Sequence, residues 1–177
     1  MRRWESLLFL LLISTAVLPA RSVAQASEEA VKAAFLPRFA RYVTWPAATI
    51  ARSPAIQLCV IGTDPFGALL DQAVTGQMVD GKPFVMRRMS SPERAQGCHV
   101  AFIQGGVSTG QMLAALRPSA VLTVTDARHG PQRGIIHFVV ANGRVRFFID
   151  ETEAASKGLG ISARLLALAL GVRQVGR

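Results

Sequence analysis

A chain of 177 residues, half of them hydrophobic, is long enough for one ordinary domain with its own core, and two cysteines are too few for a disulfide-dense scaffold. Its formal charge of +9 brings nucleic acid to mind, but the arginines are scattered along the chain, and the export signal described next leaves little nucleic acid to meet. The charge is expected to serve a solvated surface, or attraction to an acidic partner or an anionic membrane face.

Residues 1–26 read as a cleavable secretory signal peptide: Arg2 and Arg3 supply the positive start, residues 7–17 the apolar run, and Ala24-Gln25-Ala26 the small-residue cleavage site. The apolar run falls short of the roughly 20 residues that a membrane span needs, and no later stretch reaches it. Residues 27–177 are expected to form a single soluble exported domain without a stable membrane span. Losing Arg2, Arg3, Arg21 and Glu5 lowers the charge by two and leaves that domain basic.

Ser27 caps a first helix whose opening turn holds Glu28 and Glu29, where the helix dipole favours acids. Val31, Phe35, Phe39 and Tyr42 recur at near-helical spacing, with Lys32, Arg38 and Arg41 elsewhere. Pro37 should kink this helix, Trp45-Pro46 should end it, and residues 49–54 should be loop. Residues 56–62, Ile-Gln-Leu-Cys-Val-Ile-Gly, form an apolar run expected to be the central strand. Asp64 and Pro65 then open a helix near residues 66–74 that Gly76 stops. Asp80-Gly81 is a turn signal before an edge-type strand at 83–88, and Ser91-Pro92-Glu93 suggests a single helical turn.

A second apolar run at 98–103 precedes a Gly-rich loop and a helix near 109–116, and residues 120–125 form another strand of buried type. Strands alternating with helices at this pitch predict an α/β fold, a mostly parallel sheet covered by helices on both faces. Asn142-Gly143 then joins residues 135–140 and 144–149 in a C-terminal antiparallel hairpin at one edge of the sheet, pairing Val140 with Val145, Phe138 with Phe147 and Val139 with Arg146. Two short helices follow, one near 152–157 stopped by Gly158 and one capped by Ser162.

The cysteines, Cys59 and Cys98, lie in the two apolar runs. In an oxidising compartment an even pair reads as a bridge, whereas in the cytosol it would read as two buried thiols.

Gly106-Val107-Ser108-Thr109-Gly110 matches a nucleophile elbow between strand and helix, with Asp126 and then His129 or His137 downstream. However, Gln104-Gly105-Gly106-Val107 separate Ser108 from its strand and no oxyanion-loop motif lies upstream, so a helix cap in a Gly-rich loop accounts for the same letters. His99, His129 and His137 lack metal-site spacing and company. Gly62-Thr63-Asp64-Pro65-Phe66-Gly67 lacks the Lys-Ser/Thr ending of a phosphate loop. The chain is read as a non-enzyme with no metal or cofactor.

Taken together, six segments in order resemble the YfiR-like family of exported bacterial proteins. They are Val31-Lys32-Ala33-Ala34-Phe35-Leu36 with Trp45-Pro46; Leu58-Cys59-Val60-Ile61-Gly62 with Asp64-Pro65-Phe66; Cys98-His99-Val100-Ala101-Phe102-Ile103; Val121-Leu122-Thr123-Val124-Thr125-Asp126; Gly134-Ile135-Ile136 with Arg144-Val145-Arg146-Phe147; and Gly158-Leu159 with Ser162-Ala163-Arg164-Leu165-Leu166. The resemblance implies a periplasmic protein that binds the periplasmic sensor domain of a membrane-bound diguanylate cyclase, or another sensor protein, and holds down cyclic di-GMP and biofilm formation. It further implies that Cys59 and Cys98 form the family's common bridge and that a homodimer is possible. A second bridge in the founding member has no counterpart here.

The alternative reading is a periplasmic small-ligand binding protein or subunit, with a cleft at the strand ends formed by Gly62, Asp64 and Asp126. The last helix carries apolar residues nearly all round and Arg164 as its one charge. Either both its faces are covered within the domain, by the sheet and by the first helix through Phe35 and Phe39, or a partner surface forms around Leu159, Ile161, Arg164, Leu166 and Leu170.

Overall fold

The computed structural model describes residues 27–174. The signal-peptide reading of residues 1–26 lies outside them. Among the described residues, no helix is long and apolar enough to cross a membrane.

The chain runs α1 (Glu28–Ala40), β1 (Val43–Thr44), α2 (Ala47–Ala51), β2 (Ile56–Gly62), α3 (Ala68–Val74), β3 (Met78–Val79), β4 (Lys82–Met89), β5 (Val100–Gln104), α4 (Thr109–Ala115), β6 (Leu122–Asp126), β7 (Ile136–Ala141), β8 (Arg144–Asp150), α5 (Glu151–Ser156), β9 (Gly160–Ile161), α6 (Ala163–Leu166) and β10 (Gly171–Arg173). Eight strands form one sheet in the order β10-β8-β7-β6-β5-β2-β4-β3, parallel from β7 to β4, while β1 and β9 pair separately. The fold is therefore α/β with a mostly parallel sheet and an antiparallel β7–β8 hairpin.

Strand periodicity splits the core in two. On one face Leu58, Val60, Val100, Phe102, Leu122, Val124, Ile136, Phe138 and Phe147 meet Ala33, Leu36 and Phe39 of α1 and Leu70 of α3. Phe39 packs against Phe138 and Phe147 with ring centroids 5.6 and 5.1 Å apart. On the other face Cys59, Ile61, Ala101 and Ile103 meet Leu116 and the half-buried Met112 and Leu113 of α4. Lys157, after α5, holds α4 in place by donating to the carbonyls of Leu116 and Arg117 at 2.8 and 2.9 Å.

The hairpin register is the one expected from Asn142-Gly143, with Val140 opposite Val145, Phe138 opposite Phe147 and Val139 opposite Arg146. Asn142 and Gly143 take φ of 52° and 68°, the double left-handed step of a tight hairpin turn.

Several expectations need correction. β2 is interior but sixth of eight, because the chain adds β6, β7, β8 and β10 beyond β5. The hairpin has one more strand outside it: β10 pairs parallel with β8. Residues 49–54 are not all loop, since α2 starts after Pro46 and runs to Ala51. Pro37 lies inside α1 without ending it, and α1 stops at Ala40, ahead of Trp45-Pro46. α3 begins two residues late: the Asp64 carboxylate accepts the Phe66 N–H at 2.8 Å in a local turn, and Gly67 becomes the N-cap. The last helix is a single turn ending at Leu166, so Leu168 and Leu170 lie in the connection to β10.

Candidate functional site

From β2 the chain passes through α3, on one face, to β4 on one side; from β5 it passes through α4, on the opposite face, to β6 on the other side. The two connections diverge, which leaves a crevice beyond the C-terminal ends of β2 and β5, the usual ligand position in open α/β sheets. A hollow of about 460 Å³ lies there, lined by Gly62, Thr63, Ser90, Gln104, Gly105, Gly106 and His129.

Gly62 has a backbone reason for its identity. Its φ is +91°, and a Cβ would fall 2.1 Å from the Gln104 carbonyl oxygen, which also accepts the Thr63 N–H at 3.0 Å. The Gln104 side chain meets His129 Nδ1 at 3.2 Å through Nε2, while its buried Oε1 has no hydrogen-bond partner among the described residues. An amide, an imidazole and two hydroxyl side chains thus surround the hollow, groups suited to hydrogen-bonding a small polar ligand.

His129 also lines a second hollow of about 320 Å³, with Glu29, Lys32, Pro65, Phe66, Asp126 and Arg128. Beneath it lies a charge network. Lys32, 2% exposed, donates to both Glu28 and Asp126. Arg128 reaches Glu28 at 2.8 Å and Glu29 at 3.1 Å, and its N–H donates to Asp126 Oδ1 at 3.0 Å.

The three cleft residues expected from the sequence are therefore separated. Gly62 borders the first hollow and Asp126 the second, whereas Asp64 lines neither and pairs with Arg88 at 2.7 Å. Burial alone would raise the Asp64 carboxyl, but bonds from Arg88 and from the Phe66 and Gly67 backbone outweigh it and hold the group below its ordinary range.

The residues of the elbow motif have local structural partners, His129 among them through Gln104. Residues 106–108 form a 3₁₀ turn, Asp126 is bound to Lys32, and His137 Nδ1 lies 2.8 Å from Thr125 Oγ1. The expected N-cap position of Ser108 is occupied as such, yet its side chain makes no cap bond; Thr109 Oγ1 instead accepts the Gly105 N–H at 3.1 Å.

Of the expected partner residues, Leu159 is only 4% exposed and belongs to the core, which corrects its assignment to a surface. Ile161 is half-buried opposite Val43, and Leu166 packs at the margin of the core. Arg164 is exposed, as is Leu170 at 42%, and Leu168, which the site assignment omitted, is 57% exposed.

Cys59 and Cys98 are joined, with Cα atoms 6.0 Å apart. A parallel-cored sheet flanked by α1 and α3 on one face and α4 on the other, pinned by this bridge and notched where its connections diverge, defines a doubly wound α/β domain. The chain belongs to the YfiR/HmsC-like family, whose model matches residues 29–170. This is a family of periplasmic regulators, regulatory rather than catalytic. No curated protein matches the chain.

Proposed function

We propose that the protein is a periplasmic repressor that binds the periplasmic sensor domain of an inner-membrane signalling enzyme, a diguanylate cyclase, and so lowers cyclic di-GMP. Family membership supports a regulator acting on a partner. The observation that carries the contact surface is the segment after α6, where Leu168 and Leu170 are 57% and 42% exposed close in sequence to the exposed Arg164. Exposed aliphatic side chains with an arginine nearby suit the desolvated centre and charged rim of a protein interface.

Immobilised protein is expected to retain the periplasmic domain of the cyclase, and Leu168→Glu/Leu170→Glu to weaken retention about thirtyfold, the loss of one interface hot spot. Both side chains face solvent, so the melting curve of the variant should match wild type. Retention by the variant equal to wild type would remove this surface from the account.

A second reading, a small-ligand binding protein, is favoured by the orphaned Gln104 Oε1 at the strand-end crevice. A ligand there would add to the repressor reading without replacing it, as an effector.

A further inference from the structure

We infer that a second hollow, at the opposite end of the sheet, binds a small oxyanion, a carboxylate or a phosphate, through the Nε2–H of His99 with Arg52 and Arg87 at its margin. The inference is independent of the repressor reading.

The sequence around His99 fixes its ring. His99 precedes β5, so its backbone completes the pairing with the start of β2: its N–H donates to the Gln57 carbonyl at 2.9 Å. In return the Gln57 N–H donates to His99 Nδ1 at 3.1 Å. A ring nitrogen that accepts carries a lone pair, so in the neutral imidazole the proton sits on Nε2. Burial, and then the positive charge of Lys82, hold the imidazole below its ordinary range, which keeps it neutral. Trp45 lies edge-on to the ring at 5.8 Å and donates its indole N–H to the His99 carbonyl at 3.3 Å. The residue is 1% exposed, and Nε2 has no partner among the described residues. A fixed tautomer thus presents a buried donor that lacks an acceptor, and such a donor is costly to leave unmet.

The surroundings specify the acceptor. The hollow measures about 420 Å³ and is lined by Thr49, Arg52, Ser53, Pro54, Gln57, Arg87, Gln96, Gly97 and His99: two guanidinium groups and no carboxylate. Arg87 Nη1 donates to the Gln96 carbonyl at 2.8 Å, which anchors that guanidinium at the margin. Lys82 donates to the Ser53 carbonyl at 2.5 Å and adds a third positive charge nearby. An anionic oxygen entering the hollow would give the buried Nε2–H the acceptor it lacks, next to the positive charge of the arginines that line it. The Cys59–Cys98 bridge closes the turn that carries Gln96, Gly97 and His99, so the donor is held before any ligand arrives.

The test is calorimetric titration of the oxidised protein with sodium succinate and, separately, with inorganic phosphate, against sodium chloride at matched ionic strength. Saturable binding of either anion with Kd below about 1 mM is expected, and the anion that binds identifies the ligand class. Arg52→Glu, at an exposed position, should weaken that binding at least about tenfold without moving the melting curve, and His99→Phe should abolish it. Should His99→Phe fail to fold, Arg52→Glu decides alone. Heats no larger than the chloride control for both anions, or wild-type affinity in Arg52→Glu, would overturn the assignment.

Discussion

Replacing both cysteines by alanine is expected to cost the oxidised protein about 4 kcal/mol, the loop-closure value for a sequence separation of 39. That is a large share of the 5–15 kcal/mol that stabilises an ordinary domain. The bridge joins β2 to the turn before β5, and both cysteines sit in the smaller of the two cores, which among the described residues is covered by α4 together with Ala95 and Met89. Hydrogen bonds between His99 and Gln57 and from Arg87 to the Gln96 carbonyl also hold the 96–99 turn, so the expected cost is chiefly that of the freed unfolded chain. Urea unfolding of wild type and of Cys59→Ala/Cys98→Ala, each without reductant, measures the difference. A loss under about 1 kcal/mol would mean that the unfolded chain gains little freedom from losing the bridge.

The second large effect concerns Lys32. Lys32→Ala should destabilise the protein by about 3–5 kcal/mol, because it leaves the buried carboxylate of Asp126 facing Glu28 without its cation. Lys32→Met combined with Asp126→Asn should recover most of that loss. The amide oxygen can still accept the Arg128 N–H, Glu28 keeps Arg128, and no unpaired charge stays inside. Urea unfolding of Lys32→Met, of Asp126→Asn and of the double variant gives the coupling energy directly. A double variant no more stable than Lys32→Met alone would contradict the view that charge, and not packing of the lysine stem, is at stake.

Lys32 also shows where sequence reading stops. The spacing of Val31, Phe35, Phe39 and Tyr42 assigned it to the polar side of α1, yet α1 also buries Ala33, Leu36 and Ala40, a face too broad for four apolar positions to reveal. Glu28 lies four residues before Lys32 and was a visible clue, but the decisive partner, Asp126, lies 94 residues away in sequence. By contrast, the Asn142-Gly143 turn dictated a register that depends only on neighbouring residues, and every pairing read from it holds. The apolar run 56–62 was legible for the same reason, whereas its rank in the sheet was not, because strand order is set by crossovers that leave no local periodicity.

The site was legible in part. Cys59 and Cys98 could be paired once the family and compartment were read, and Gly62 and Asp126 do lie at strand ends. The sequence marks His129 only as a triad or metal candidate and Gln104 only as loop beside the elbow, because neither carries a spacing signal that assigns it to the crevice; the turn after β6 brings them together. β10 was missed since three residues are too few for alternation, and its pairing follows from the Leu170 N–H bond to the Phe147 carbonyl at 2.8 Å. That same bond turns Leu168 and Leu170 away from a longer helix, and this is what leaves them on the surface.

The central claim, repression of a cyclase through the surface at Leu168 and Leu170, is tested most directly by cyclic di-GMP in cells. The nucleotide is quantified by mass spectrometry in a strain lacking the gene, complemented with wild type or with Leu168→Glu/Leu170→Glu at equal periplasmic abundance. The account predicts a rise on deletion, return to the parental level with wild type, and no return with the variant. A level unchanged by deletion would contradict it.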